Sequence, residues 1–314
     1  MRILYLTIND ENRCSSPSWY LKNQLAKIEK VVFYGPRYSK FPFFGRWDVP
    51  KAIRRVCANG NPDVIVIDHI WALSRKWKNL DEIEFPKACM VCDPHHEPSE
   101  KIEYIRRNKV DLALFVYKHS IRQYRNRGLN CSVGWLPWSV DINVFREYGF
   151  EREYDVTSLG AVSQYYPLRK RILKVLPKTA GIKFFTKKHP GMWNLNPEKD
   201  LFRDNYAKVL ARSKIFIFDT AIRNYPVAKF FEAMACNTLV MAPMPHDGEE
   251  LHFKPEFNFV EINEENFLDK IRYYLKHENE RREIAKRGCE TVKRYHTVVI
   301  RAKQLVDYLK NIIG

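Results

Sequence analysis

The chain has 314 residues, with 53 Lys and Arg against 37 Asp and Glu, a formal net charge of +16 with His neutral. That length suits two domains, each able to bury its own core, and 45% hydrophobic with 14% aromatic residues excludes a disordered chain. The mean hydropathy is −0.44, and no uncharged apolar run approaches the roughly 18 residues that span a bilayer, which excludes an integral helical membrane protein.

In chain order, Met1 to Ile8 is too short and lacks the cleavage site for a secretion leader, so it predicts a buried first strand. Apolar runs at 30–34, 63–67, 87–92, 111–116 and 132–136 predict further strands, with amphipathic helices at 17–29, 50–58, 98–108 and 118–128. A second series then starts afresh. Strands are expected at 154–160, 182–186, 214–218, 238–242 and 258–262, and helices near 168–176, 200–212, 225–236, 264–276 and 278–312. Strands alternating with helices argue parallel βαβ sheets. Two such series predict two doubly wound α/β domains, residues 1–148 and 149–290, with a junction near 143–152 and a terminal segment, 291–314, packing back on the first domain. Ligands of such sheets bind beyond the C-terminal strand ends, so the loops that follow strands carry most of the functional information.

The seven cysteines, at 14, 57, 89, 92, 131, 236 and 289, are odd in number and mostly flanked by apolar residues. This predicts reduced, buried thiols and a cytoplasmic protein. Cys89 and Cys92 are the only close pair; side chains three apart on a strand face opposite sides, and a zinc site needs a second pair. No metal site is expected. The charge excess is spread evenly: residues 1–150 hold 24 basic and 16 acidic side chains, and 151–314 hold 29 and 21, net +8 each. Such a surface attracts nucleic acid, an anionic membrane face or phosphorylated substrates; an ordinary soluble basic surface is the plain alternative.

Several devices are missing. The sequence has no Gly-x-Gly, no Walker loop, no Gly-x-Ser-x-Gly and no Asp-x-Asp. Dinucleotide chemistry, P-loop phosphoryl transfer and the nucleophile-elbow hydrolases are therefore disfavoured, and a basic, metal-free hold on phosphate is expected. The most informative stretch is 205–260, read as helix, strand, loop, helix, strand. Glu232 lies there among Phe230, Phe231, Ala233 and Met234, where a carboxylate needs a partner. Lys229, one turn earlier, could pair with it. Alternatively, Glu232 accepts hydrogen bonds from sugar hydroxyls while Lys229 faces phosphate.

This stretch resembles the C-terminal domain of GT-B glycosyltransferases of the family 4-like group, closest to the CgeB-like (spore maturation protein) branch. The resemblance is carried by Asn205-Tyr206-Ala207, Ser213, Lys229-x-Phe231-Glu232-Ala233-Met234-Ala235 and Leu239-Val240-Met241-Ala242. In order along the chain, Asp155 to Gly160 with Tyr166-Pro167-x-Arg169-x-Arg171 looks like the strand and phosphate loop that open that domain. Leu136-Pro137-Trp138-Ser139-Val140-Asp141 with Phe145 looks like the interdomain signature, with Ser139 where the group has Gly. The resemblance implies a GT-B fold and a nucleotide-sugar donor (UDP- or GDP-sugar) bound without metal. It implies that Glu232 contacts the donor ribose, that Arg169 or Arg171 with Lys229 or Arg223 holds the diphosphate, and that Lys188 lies near the nucleotide base. Guanidinium suits the bidentate phosphate task. The group's first Glu falls on Asn224, a departure touching donor-sugar contact and the retaining stereochemistry that the resemblance implies.

Glycosyl transfer also needs an acceptor hydroxyl positioned and deprotonated. Asp93, His95 and His96 follow a predicted strand that Pro94 breaks, and any one could be the base or a sugar contact; a solvated turn is the equal alternative. His69 reads as a satisfied strand-end histidine. Asn9 to Ser18 should border the acceptor. Arg37 to Arg46 alternates basic with aromatic residues, a pattern that grips polyanions or lies on a membrane, or simply packs as a loop. The expected function is transfer of a sugar to an anionic acceptor, with DNA bearing hydroxymethylated bases slightly favoured over a membrane lipid or surface polysaccharide. The rival is a degenerate GT-B module that binds nucleotide or nucleic acid without transfer.

Overall fold

A computed structural model describes residues 1–13, 17–44, 46–57, 60–69 and 74–314. Cys14, Ser15 and Ser16 of the loop expected to border the acceptor, and Gly45 of the basic aromatic loop, lie outside the described residues. The chain divides into two compact units, Met1–Glu11, Ser18–Pro137 and Val299–Gly314 forming the first and Asn12–Pro17 with Trp138–Val298 the second.

The first unit is built on β1 (Arg2–Leu6), α1 (Pro17–Ile28), β2 (Lys30–Tyr34), α2 (Val49–Val56), β3 (Val64–Ile67), β4 (Lys87–Val91), α3 (Pro98–Arg107), β5 (Leu112–Phe115), α4 (His119–Asn126) and β6 (Ser132–Trp135). Its six strands are all parallel in the order β2-β1-β3-β4-β5-β6. The period of two along a strand sorts side chains to two cores. Leu4, Leu6, Ile65, Ile67, Cys89 and Val91 enter one, while Ile3, Tyr5, Val64, Val66, Ala88 and Met90 enter the other. Both faces are buried, which is why these strands read as unbroken apolar runs.

The second unit contains β7 (Tyr154–Thr157), α5 (Pro167–Val175), β8 (Phe184–Phe185), α6 (Arg203–Ala211), β9 (Ser213–Ile217), α7 (Lys229–Ala235), β10 (Leu239–Ala242), β11 (Val260–Glu261), α8 (Phe267–Lys276) and α9 (Glu278–Tyr295). The strands are parallel in the order β11-β10-β9-β7-β8. Arg152 locks helix ends behind this sheet. Its guanidinium donates to the carbonyls of Leu210, Ser213, Cys236 and Asn237 at 2.7–3.4 Å and to Thr238 Oγ1 at 2.9 Å. These include last-turn carbonyls of α6 and the ones just past α7, which a helix leaves unsatisfied.

The single helix expected over 278–312 is two helices. It breaks at His296-Thr297, and α10 (Val298–Ile313) follows. The reason is local. Val140 N donates to His296 O at 2.9 Å and Val298 N donates to Val140 O at 3.0 Å, so the backbone pairs like a strand there instead of continuing the helix. Beyond the break, Ala302, Leu305, Val306 and Leu309 of α10 join the core that contains Ile3, Tyr5 and Leu25. The six described cysteines are free thiols, four of them buried. No described helix is long and apolar enough to cross a membrane.

Candidate functional site

In the second unit the loops that follow parallel strands gather at one edge of the sheet. They are tied together by backbone: Ile222 N donates to Tyr165 O at 3.0 Å, and His246 N donates to Asn224 O at 2.6 Å. After β7 the chain reaches Gly160 at φ +136°, a backbone region that side chains resist. A Cβ there would overlap the Lys229 ammonium and come within 2.8 Å of the Arg169 guanidinium. Backbone, Lys229 and Arg169 therefore converge on one spot.

Arg169 is 2% exposed. Its position follows from α5, which buries Leu168, Arg169 and Ile172 and turns Arg171 to solvent. Its guanidinium carbon lies 4.4 Å from the Tyr166 ring centre, Nη1 donates to Ala161 O and Nη2 to Asp219 O, and Nε has no partner among the described residues. Burial draws the guanidinium below its ordinary pKa, opposed by Tyr166, Asp219 and Tyr206. Asp219, itself buried, accepts from the Arg169 backbone N at 3.2 Å and from Ala221 N at 2.8 Å. It thus steadies the N-terminus of α5, one of the places where a helix presents free N–H groups to an anion. Ser158 Oγ, also buried at the end of β7, has no hydrogen-bond partner among the described residues. The His189 imidazole is pushed below its ordinary range by burial and by the Lys229 and Arg169 charges, which puts it near the same cations.

Glu232 sits one turn along α7 from Lys229 and is 7% exposed. Among the described residues nothing donates a hydrogen bond or ion pair to its carboxylate. Burial pushes the carboxyl up to about 7, with the Lys229 charge acting to lower it.

The structure thus brings Arg169, Lys229 and Glu232 together with Gly160. It does not bring in Arg171, Lys188 or Arg223, which are exposed side chains. His189, not Lys188, is the residue of its loop that senses the cations. Asn224 is exposed at φ +47°, and its Oδ1 accepts from Thr220 Oγ1 at 3.0 Å. Left-handed backbone is several-fold enriched in Asn, a local reason for Asn at this position. Sequence reasoning missed Asp219 and Thr220, and had Ser158 only as one of the Asp155 to Gly160 stretch, with no role of its own. Their signal was a polar side chain directly after a buried apolar strand.

In the first unit, Asp93 follows β4 at φ +45° and is half-buried. Its carbonyl accepts from the buried Lys101 Nζ at 2.6 Å and from His96 N at 3.0 Å, while Tyr124 Oη donates to Pro94 O at 3.0 Å. The turn is therefore held by its backbone. The His95 and His96 rings lie 4.2 Å apart, His96 exposed and His95 half-buried.

The same sheet edge holds a buried network that the sequence did not reveal. Lys22 Nζ, on α1, reaches Asp10 Oδ1 at 2.7 Å, Thr7 Oγ1 at 3.0 Å, Ile8 O at 3.1 Å and Asp68 Oδ2 at 3.5 Å. Thr7 Oγ1 also donates to Asp68, Ser18 Oγ to Asp10 at 2.7 Å, and His69 N to Asp68 Oδ1 at 3.0 Å. Burial acts to raise the Asp68 carboxyl, but His69, Lys22 and Thr7 outweigh it and leave it at about 2. The His69 ring faces the same network, its Nε2 3.5 Å from Asp68 Oδ1.

Residues 169–307 match the family described as glycosyl transferase-like. No curated protein sequence matches the chain. Among solved structures, Anabaena HepE in complex with UDP-glucose is similar at a TM-score of 0.69 and 13% identity, covering 99% of this chain and 100% of that one. Sucrose-phosphate synthase from Thermosynechococcus elongatus gives 0.68 and 12%, covering 99% and 98%. A glycosyltransferase from Rickettsia africae ESF-5 gives 0.65 and 13%, covering 100% and 98%. The fold is that of the GT-B glycosyltransferases.

Proposed function

We propose that the protein is a glycosyltransferase that takes its sugar from a nucleotide-sugar donor held by the second unit. The observation that carries this reading is the convergence of Arg169, Lys229 and the Gly160 backbone at the C-terminal sheet edge, with Glu232 buried one turn away and given no hydrogen bond by the described residues. Two fixed cations beside a side-chain-free stretch of backbone suit a diphosphate, and they stabilise the charge that develops as it leaves, without metal. Glu232 suits the vicinal hydroxyls of a ribose, which would supply the missing hydrogen bonds. The match of residues 169–307 to the glycosyl transferase-like family supports the activity, and the UDP-glucose complex of a protein of the same fold favours a uridine nucleotide over guanosine.

The acceptor belongs to the first unit. Asp93, His95 and His96 remain the proposed deprotonating or sugar-contacting groups, and the acceptor is anionic given the net +16. Hydroxymethylated DNA and a membrane-associated lipid or polysaccharide are both consistent with that charge. Retention of configuration is proposed from the resemblance alone. The CgeB-like branch and a cytoplasmic location are proposed on sequence grounds alone.

Thermal-shift titration with UDP, GDP, ADP and their sugars, in a chelator, tests the donor site. A selective rise with one base, of the size ligand linkage gives, is the expected outcome; it should vanish in Arg169→Ala and persist in Arg171→Ala. No shift with any nucleotide at millimolar concentration would contradict the donor site and favour a degenerate module that binds nucleic acid without transfer.

A further inference from the structure

The loop between β2 and α2 is staked to the first unit on both arms. Tyr34 Oη donates to Arg46 O at 3.0 Å. The Phe41 ring packs edge-on against Tyr34 and Trp47, both at 5.2 Å, and Trp47 lies 4.9 Å from Trp77. Between these anchors Phe43 and Phe44 are 76% and 81% exposed, the most exposed large hydrophobic side chains among the described residues. Phe41 serves the core, but two adjacent phenyl rings held in water add nothing to folding.

The charge around them is one-sided. Residues 35–56 contain Arg37, Lys40, Arg46, Lys51, Arg54 and Arg55 against the single acid Asp48. Asp48 is committed to the N-terminus of α2, where it accepts from Lys51 N at 2.8 Å and faces Lys51 Nζ at 3.8 Å, and to Asn79 at 3.0 Å, which leaves Arg37, Lys40, Arg46, Arg54 and Arg55 as the excess charge. The Arg46 guanidinium lies 5.5 Å from the Phe43 ring centre, so cation and ring sit side by side.

We infer that this loop docks the first unit onto an anionic lipid bilayer, with Phe43 and Phe44 inserted at the boundary of headgroups and acyl chains and the surrounding cations on lipid phosphates. Insertion buries the exposed rings, and the cations match the negative surface of such a membrane. A nucleic-acid partner fits less well. The two rings meet edge-to-face at 82° and offer no parallel platform on which successive bases stack. The inference uses no part of the nucleotide site, so either can fail alone.

The test is flotation of the whole chain with vesicles of phosphatidylcholine alone or with about 30% phosphatidylglycerol, the anionic lipid supplying the surface potential. The wild type should float with the anionic vesicles only. Phe43→Ser with Phe44→Ser should lower partitioning at least about tenfold while Tm stays unchanged, since neither ring is buried. Lys40→Glu, which leaves the rings intact, should weaken flotation and make its loss with salt shallower, since fewer cations engage the anionic surface. Equal flotation of the double variant and the wild type, or no flotation of the wild type, overturns the inference. So does an oligonucleotide complex that the double variant abolishes while vesicles stay bound.

Discussion

Each unit buries a carboxylate beside a lysine at the C-terminal edge of its sheet, and the two are treated oppositely. Asp68 is surrounded by Lys22, Thr7 and the His69 backbone, and its carboxyl sits at about 2. Glu232 has Lys229 one turn away and no hydrogen bond from a described residue, and its carboxyl sits at about 7. Burial acts on both in the same direction; the difference is whether the fold supplies partners. A buried charge that is fully partnered within the chain is a structural device. One left without partners carries a standing desolvation cost, and the fold tolerates that where a ligand completes the site.

The largest expected effect lies in the first unit. Lys22→Met leaves Asp10 and Asp68 buried together without their shared cation. It should cost about 3–5 kcal/mol, the usual consequence of removing one partner of a buried pair, read as a lower midpoint in urea with an unchanged slope. A loss under about 1 kcal/mol would mean that the network is surface-like and would erase the contrast.

The next effect is a pH signature of Glu232. Its folded value, about 7, stands above the ordinary 4.5. Relative to Glu232→Gln, the wild type should therefore be most stable below pH 4.5, lose stability as pH rises through 7, and level off above. The total is about 3 kcal/mol from the size of the shift. Asp68, lowered from 3.8 to about 2, works the other way: its contribution is present above pH 3.8 and lost as pH falls toward 2. Denaturation curves from about pH 2 to 8 separate the two windows, and a flat difference between wild type and Glu232→Gln across 4.5–7 would break the comparison.

Much of the architecture was legible in the sequence because doubly wound sheets write themselves as short apolar runs separated by amphipathic stretches. β1, with alternate residues in two different cores, is the clearest instance. The break at His296 was not legible, since it depends on backbone pairing with Val140, more than a hundred and fifty residues away. The site divides along the same line. Glu232 and Lys229 stand out as charges on an otherwise apolar helix. Which of Arg169 and Arg171 turns inward depends on the phase of α5, and spacing alone did not fix it. The Lys22 network joins residues on three segments that share no motif, so only the fold brings them together. Asn224 marked a departure in the sequence, and its left-handed backbone supplies a physical reason.

The most direct test of the central claim follows the Glu232 carboxyl by NMR in glutamate-labelled protein, with and without saturating nucleotide diphosphate, using the base that raises Tm most. Ribose hydroxyls donating to the carboxylate favour its charged form. Its titration should therefore lie near 7 in the free protein and fall by about one unit or more when nucleotide binds. An identical titration in both states would mean that nucleotide does not meet Glu232, and would contradict the account.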